Sequence, residues 1–287
     1  MTRDAMIVCP QPEAAEAGAD ILRMGGNAID AAVACAFAQG VVDPLMCGIA
    51  GFGSMAVYRP ETGKTEYLDF HARAPLAVHA DMWADLVEGE TRDGFGFVLK
   101  GRINDLGYQS ICAPPALRAY AEAHGKYGRL PWDTVLAPAI EWAEEGYFVR
   151  PAMQTFFAEG SGMGRAATSE RLAFSAEGRA LYCREDGQPK ATGAGIRNPD
   201  LAKTLRIIAS EGADTFYSGQ IAQQILADME ANDGLLTAAD LEGCAAEWSA
   251  PLEGSYRGSR IVTNPPPGGG VMLLEMLNIL ESFDLAY

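Results

Sequence analysis

The stretch "GGNAIDAAVACAFAQGVV" (residues 25–42) constrains the fold more than any other part of this sequence. Its two glycines stop a preceding helical pattern, and Asn27 stands where its side-chain oxygen caps a second helix over residues 28–40. Alanine is the commonest residue of that helix, with Val33 and Phe37 one turn apart, so another element can pack closely against it. We therefore expect residues 28–40 to form a buried helix.

The remaining periodicity predicts a mixture of helices and short strands. Helical spacing is found over residues 12–24, 115–127, 133–145, 199–212, 218–231 and 271–280. The segments "SMAVY" and "TEYLDF" (54–58 and 65–70) predict a hairpin, and residues 256–264 alternate as a further strand. Residues 155–195 are weakly patterned, so we expect loops there.

Two of the predicted helix starts carry more specific expectations. Thr237 is predicted to cap a short helix, with Asp240 three residues later as its capping-box partner. Residues 271–280 follow three prolines and three glycines, and their apolar run predicts a second buried helix. A charge placed at Leu274 in that helix, or at Ala28 in the first, is expected to destabilise the fold severely.

Charge and composition exclude several classes of function. The chain has 287 residues, and 38 acidic against 22 basic side chains give a net charge of −16. Nucleic acids and anionic membrane surfaces are bound by clustered basic residues, so neither partner is expected. No uncharged apolar run is long enough to cross a bilayer, and the first residues lack the pattern of a secretion signal. We therefore expect a cytoplasmic protein, or a periplasmic one if a leader has been removed.

A search for reactive groups finds no catalytic motif. The six cysteines are scattered without a C-x-x-C pair, which predicts free thiols, and the three histidines lack the spacing of metal ligands. Neither H-E-x-x-H nor G-x-S-x-G is present. We expect no metal and no organic cofactor. His79 and His124 have no motif around them and are predicted to be surface residues.

Several stretches, taken in order, resemble the large subunit of the gamma-glutamyltranspeptidase family. The most specific are "GGNAIDAA" and "PPPGGG" followed by "LLEMLNILE", and the matching stretches extend from about Val8 to Asp284. The resemblance implies an α+β fold, a four-layer αββα sandwich of the N-terminal-nucleophile hydrolase type. It also implies that residues 1–287 form a single domain, the large-subunit portion of such a protein.

The resemblance further implies the chemistry and the partners. Enzymes of this type are made as a precursor that cleaves itself, and the freed N-terminal Thr of the small subunit is the nucleophile. Its α-amino group is the general base, since a free α-amino group can activate the adjacent hydroxyl. The family's Thr lies beyond the helix at 271–280, so no catalytic residue is expected in this chain. The expected partners are the small-subunit segment of the same precursor and a small amide substrate, and association of identical copies stays open.

The stretch "DFHARAP" (69–75) departs from the family, whose usual pattern here is D-F-R-E-x-A-P. The family's Arg binds the α-carboxylate of the γ-glutamyl group, and its position is taken by His71, with Ala72 at the Glu position. Arginine offers a permanently charged, two-pronged donor, whereas histidine offers fewer donors and titrates near neutral pH. Strand alternation places His71 and Arg73 on one face, and both are predicted to bind substrate. From the residues alone, His71 marks only a strand end that faces solvent.

Three functions therefore stay open. The first is hydrolysis of an amide or γ-glutamyl-like bond, or transfer of its acyl group to an amine. The second is an acylase or small-amide hydrolase that does not use γ-glutamyl substrates, which the histidine at the arginine position favours. The third is a non-catalytic relic of the fold with a binding or structural role.

Overall fold

The computed structural model describes residues 5–160, 162 and 165–285, in which helices alternate with short strands. The helices are α1 (Pro12–Arg23), α2 (Ala28–Val42), α3 (Ala116–Tyr127), α4 (Trp132–Glu145), α5 (Pro151–Phe157), α6 (Thr168–Leu172), α7 (Ala176–Tyr182), α8 (Pro199–Glu211), α9 (Asp214–Tyr217), α10 (Gln220–Ala231), α11 (Ala238–Glu242) and α12 (Gly270–Glu281). The strands are β1 (Gly53–Arg59), β2 (Lys64–Phe70), β3 (Val87–Glu90), β4 (Phe97–Leu99), β5 (Tyr147–Phe148), β6 (Gly195–Ile196), β7 (Glu247–Ser249), β8 (Leu252–Tyr256) and β9 (Ser259–Thr263). The α+β class is therefore confirmed.

The capped start of α2 is confirmed and also joins distant parts of the chain. The side-chain oxygen of Asn27 accepts hydrogen bonds from the backbone N–H groups of Ile29 (2.9 Å) and Asp30 (3.1 Å). The carboxylate of Asp30 accepts in return from the Asn27 N–H at 2.8 Å, which completes a capping box. Asp30 is fully buried and also accepts from the Arg129 N–H at 2.9 Å. The helix start is thereby tied to the α3–α4 connection.

Small side chains let α2 pack at the centre of the helical layer, against α1, α3 and α4. Phe37 is 1% exposed, and its ring meets those of Tyr120 and Trp132 edge-on at 5.5 Å between centroids. Burial of a side chain of this size contributes about 1.5–3 kcal/mol. The predicted burial of this helix is confirmed for most of its surface, but Ala28 lies on an exposed edge. A charge at Ala28 is therefore not expected to destabilise the fold severely, contrary to the prediction, because that side chain reaches solvent.

A three-stranded antiparallel sheet, in the order β1-β2-β7, covers one side of α3. The buried side chains of Leu68 and Phe70 on β2 pack against alanines of α3. Gly53 begins β1 opposite Phe70, and a Cβ there would lie only 3.1 Å from the Phe70 ring. The predicted hairpin is confirmed, and the glycine at its start leaves room for the Phe70 ring.

Two segments differ from the sequence prediction. The strand expected over residues 256–264 is divided, because Arg257 (φ 47°) and Gly258 (φ 79°) both have positive φ and make a two-residue turn between β8 and β9. The segment expected to be loops, residues 155–195, contains the short helices α6 and α7 as well as the end of α5. Ser175 caps α7 by accepting from the Gly178 N–H at 2.9 Å, a local signal that the weak periodicity obscured.

The C-terminal helix α12 forms where it was predicted, but the prediction of its burial was wrong. Only Gly270 is buried in it, and Met272 (63% exposed) and Ile279 (61%) reach solvent. The physical reason is that α12 packs against β8 of a small hairpin, where Leu274 lies over Gly254, and leaves its other apolar side chains uncovered. Leu274 is itself partly exposed. A charge there would therefore lie at the edge of a contact and not inside a core.

No helix within the described residues is long and apolar enough to span a membrane.

Candidate active-site cavity

The stretch after β2 is held in place by backbone contacts on both sides. Strand β2 ends at Phe70, whose ring is buried against α3. The chain stays extended beyond it, because the Arg73 carbonyl accepts from the Ala113 N–H at 2.9 Å. Strand β2 itself ends before His71, so strand pairing does not place His71 and Arg73 on one face. Their side chains nevertheless line the same cavity.

His71 is paired with the aspartate two residues before it. The Asp69 carboxylate accepts from the His71 backbone N–H at 3.1 Å and from the ring Nδ1 at 2.5 Å. About a quarter of each side chain is exposed (26% for His71 and 28% for Asp69), so neither faces bulk solvent fully. The contact fixes Nδ1 as a donor and turns Nε2 away from Asp69. Among the described residues, Nε2 has no hydrogen-bond partner.

Arg73 is engaged differently. Its guanidinium donates to the Glu247 carboxylate at 3.3 Å, and both side chains are about 70% exposed (72% and 68%). Exposed ion pairs of this kind are weak, so the guanidinium can leave Glu247 at little cost. Arg73 therefore lies at the rim of the cavity, whereas His71 lies in its wall.

The opposite wall is fixed by Asp240 at the start of α11. This buried carboxylate accepts from the Leu76 backbone N–H at 2.7 Å, from the Thr237 N–H at 2.8 Å and from the Thr237 hydroxyl at 2.7 Å. Burial raises the pKa of Asp240, but the hydrogen bonds from Thr237 and Leu76 outweigh it and hold the pKa below its usual value. The predicted partnership of Thr237 and Asp240 is confirmed. No pattern in the sequence indicated that Asp240 also binds the chain after "DFHARAP".

Between these walls lies a cavity of about 140 Å³. It is lined by His71, Arg73, Ala74, Leu76, Ala113, Pro115, Ala239, Asp240, Gly243, Cys244 and Ala245. Most of these residues are small or apolar. Burial raises the pKa of the Cys244 thiol, so near neutral pH it stays uncharged and its sulfur is a largely apolar surface. Cys244 had been predicted only to be a free thiol, which all six cysteines are in the structure.

The other two histidines lie apart from this cavity. His79 is exposed, as predicted. The prediction that His124 is a surface residue was wrong, because its side chain is only 13% exposed. Its ring lies 5.1 Å from that of Trp132 at an angle of 57°, and it hydrogen-bonds the Leu130 carbonyl at 2.9 Å. The described residues contain no group of three His, Cys, Asp or Glu side chains able to hold a metal ion.

Comparison with known proteins agrees with the resemblance in the sequence. The profile of the gamma-glutamyltranspeptidase family matches residues 14–287. This chain belongs to the gamma-glutamyltranspeptidase family. The crystal structure of the Helicobacter pylori gamma-glutamyltranspeptidase superimposes with a TM-score of 0.86 at 31% identity, covering 100% of this chain and 77% of that one. Its fold is that of the N-terminal-nucleophile hydrolases, which confirms the fold class inferred from the sequence.

Two curated relatives show what else this family contains. The acylase ACY 1 proenzyme of Pseudomonas sp. (strain V22) is 38% identical over 283 residues, which are 98% of this chain and 48% of that proenzyme. The glutathione hydrolase proenzyme of Pseudomonas sp. (strain A14) is 35% identical over 98% of this chain and 46% of its own length. The chain thus spans about half the length of the curated relatives it matches. The matched half is consistent with a large-subunit portion whose partner subunit belongs to the same precursor.

Proposed function

We propose that the complete protein hydrolyses a small amide bond, or transfers its acyl group to an amine, through an acyl-enzyme on an N-terminal Thr that follows the present chain. The observation that carries this proposal is the cavity at "DFHARAP", where His71 presents a ring nitrogen that no described residue occupies, beside small apolar walls. Family membership supplies the nucleophile's chemistry, and residues 1–287, taken as one domain, contribute substrate binding.

His71 is proposed to contact the acyl part of the substrate. Its Nδ1 is committed to Asp69, so Nε2 is the atom that faces a ligand. When the imidazole is protonated, Nε2 donates a charge-assisted hydrogen bond to a substrate carboxylate or carbonyl. Arg73 is proposed to assist from the rim, where its weak pair with Glu247 can be exchanged for a substrate carboxylate.

A second candidate function is an acylase that does not use γ-glutamyl substrates. The observation that favours it is again His71, because one ring nitrogen replaces the two-pronged donor that arginine offers to a carboxylate. The matched Pseudomonas acylase shows that this family includes enzymes with such names. The choice between the two functions is one of substrate and not of mechanism.

The small-subunit segment of the precursor is proposed as the partner of two uncovered surfaces. One is the α12 face, which exposes Met272, Met276 and Ile279, and the other is the extended start of the described chain, where Met6 and Val8 are almost fully exposed. Exposed apolar side chains that lie together on a folded protein often mark an interface. The segment of the precursor beyond residue 287 fits this role, since the matched proenzymes are about twice as long as this chain.

The cytoplasmic location stays a prediction, with the periplasm as its alternative.

The experiment is expression of the full-length precursor followed by denaturing gel electrophoresis and N-terminal sequencing of the smaller product. We expect self-cleavage into two fragments, with Thr, or Ser or Cys in its place, at the new N-terminus. The processed protein is then assayed with γ-glutamyl and simple acyl anilides. A precursor that stays uncut and hydrolyses none of them would support the third alternative, a non-catalytic relic of the fold.

A further inference from the structure

Two cysteine thiols meet in the groove between the extended start of the described chain and α2. Cys9 lies in the irregular stretch before α1, and Cys35 lies on α2. Both residues line this groove. The Cys9 thiol donates to the Gln39 side-chain oxygen at 2.9 Å, and Gln39 follows Cys35 by one helical turn on the same face of α2. The Cys9 sulfur is therefore held over the turn of α2 that carries Cys35.

The electrostatics of the groove distinguish this pair from a third thiol beside it. Burial raises the pKa of the Cys35 thiol, and the Cys9 thiol, which lies within hydrogen-bond reach, raises it further. Burial also raises the pKa of the exposed Cys47 thiol, but Cys9 acts on it only through charge. Cys35 is thus the nearer neighbour of Cys9. A dithiol that stabilises its thiolate gives a labile disulfide, and the raised pKa of Cys35 is the opposite case.

The surroundings leave room for the two sulfurs to come together. A disulfide bond needs them about 2 Å apart, so one of the two residues has to move. Cys9 is able to do so, because it is half-buried in a stretch without helix or strand and borders an open groove. Gln39 would lose the Cys9 thiol as a donor, but its side-chain oxygen also accepts from the Gln11 N–H at 3.3 Å. Oxidation therefore leaves no buried acceptor unpaired.

We infer that Cys9 and Cys35 form a modification site, at which a small organic disulfide oxidises the two thiols to an intramolecular disulfide bond. The Cys9 thiolate attacks one sulfur of the oxidant R–S–S–R, which gives Cys9–S–S–R and releases RS⁻, and this takes up the proton that Cys9 lost. Cys35 then loses its proton and attacks the Cys9 sulfur, which releases the second RSH. Two protein thiols are oxidised, and one external disulfide is reduced to two thiols.

The bond would close a loop that contains α1 and would fasten the start of the described chain to α2. Such a bond persists in an oxidising compartment and is reduced in the cytoplasm. The inference is independent of the proposed amide hydrolysis, since neither thiol takes part in that reaction.

The test uses the full-length protein, whether or not it cleaves itself, equilibrated with hydroxyethyl disulfide and mercaptoethanol. Free thiols are then alkylated, and tryptic peptides are mapped by mass spectrometry without reduction. We expect a linked peptide pair containing Cys9 and Cys35, about tenfold or more abundant than the mixed disulfide on Cys9, because the second step is intramolecular. The melting temperature should rise by about 5 °C or more on oxidation, since the link restricts the unfolded chain.

Cys47→Ser is the matched control, because Cys35 and Cys47 fall in the same tryptic peptide, residues 24–59. This variant should keep both the link and the rise in melting temperature, whereas Cys9→Ser and Cys35→Ser should each lose both. Circular dichroism of the reduced proteins verifies folding, and Cys9→Ser alone carries the comparison if Cys35→Ser does not fold.

Two results would overturn the site. One is a Cys9 that stays free, or stays a mixed disulfide, after the oxidation of the unmodified protein has reached completion. The other is loss of the link in Cys47→Ser, which would make Cys47 the partner. Neither result bears on amide hydrolysis, which is measured separately.

Discussion

Replacement of His71 by arginine in the complete, self-processed protein is expected to improve its use of γ-glutamyl donors. His71 has one ring nitrogen available to a ligand, because Nδ1 is held by Asp69 at 2.5 Å. The guanidinium of an arginine at this position has enough donors to keep Asp69 and still grip a carboxylate with two N–H groups. The family pattern D-F-R-E-x-A-P has an aspartate at the same distance from its arginine, so Asp69 is compatible with the change.

The size of the effect follows from the number of contacts. His71→Arg adds one charge-assisted hydrogen bond, which contributes about 1.5–3 kcal/mol. That is about ten- to hundredfold in kcat/KM for glutathione. His71→Ala should lower kcat/KM for any substrate that carries a carboxylate.

The assay is steady-state kinetics of the unmodified protein, His71→Arg and His71→Ala with glutathione and with a non-glutamyl anilide, at one fixed pH. Gln223→Arg is a control for added charge, since Gln223 is an exposed residue of α10 that does not line the cavity. If the unmodified protein already prefers glutathione and His71→Ala leaves its KM unchanged, His71 does not contact substrate. Arg73, or a residue outside the present chain, would then hold the carboxylate.

Three further outcomes are expected. Residues 1–287 alone should hydrolyse no γ-glutamyl anilide above the buffer rate, because the proposed nucleophile lies in a later segment; turnover by the purified chain would contradict this. Asp240→Asn should lower the free energy of unfolding by about 2 kcal/mol, since an amide cannot accept all three hydrogen bonds. Because the pKa of Asp240 is lowered in the folded protein, its carboxylate stabilises the fold fully above the unfolded pKa of about 3.9. This stabilisation is lost as the pH falls through the folded pKa. The free energies of unfolding of the two proteins, measured by denaturant titration, should therefore become equal in acid. Met276→Gln combined with Ile279→Gln should reduce aggregation of the isolated chain but impair self-cleavage of the precursor, whereas Glu275→Gln on the same helix should do neither.

Local patterns were sufficient to predict most helices and the first hairpin. Asn27 and Asp30 predict the start of α2, because a capping box involves only two residues that are three apart in sequence. The turn at Arg257 and Gly258 was missed, since alternation continues on both sides of it and only the positive φ values reveal the break. The burial of α12 was overestimated for a different reason. An apolar sequence shows that a helix needs cover, but it does not show which chain segment provides that cover.

The sequence predicted only some of the residues of the candidate site and their roles. "DFHARAP" directed attention to His71 and Arg73, yet it assigned them the same role, whereas the structure places one in the wall and the other in an exposed ion pair. Asp240 was visible only as a helix cap. Its hydrogen bond to Leu76 joins residues 164 positions apart, and no local pattern encodes such a contact.

The substitution at position 71 changes what the site offers to a substrate carboxylate. An arginine here would still have at least two N–H donors for the carboxylate after pairing with Asp69. His71 has one ring nitrogen for it, because Nδ1 is held by Asp69. A substrate that carries a carboxylate therefore gains less from His71 than from an arginine, whereas an uncharged acyl group loses little by the replacement. This difference is the physical basis for expecting acylase-type substrates.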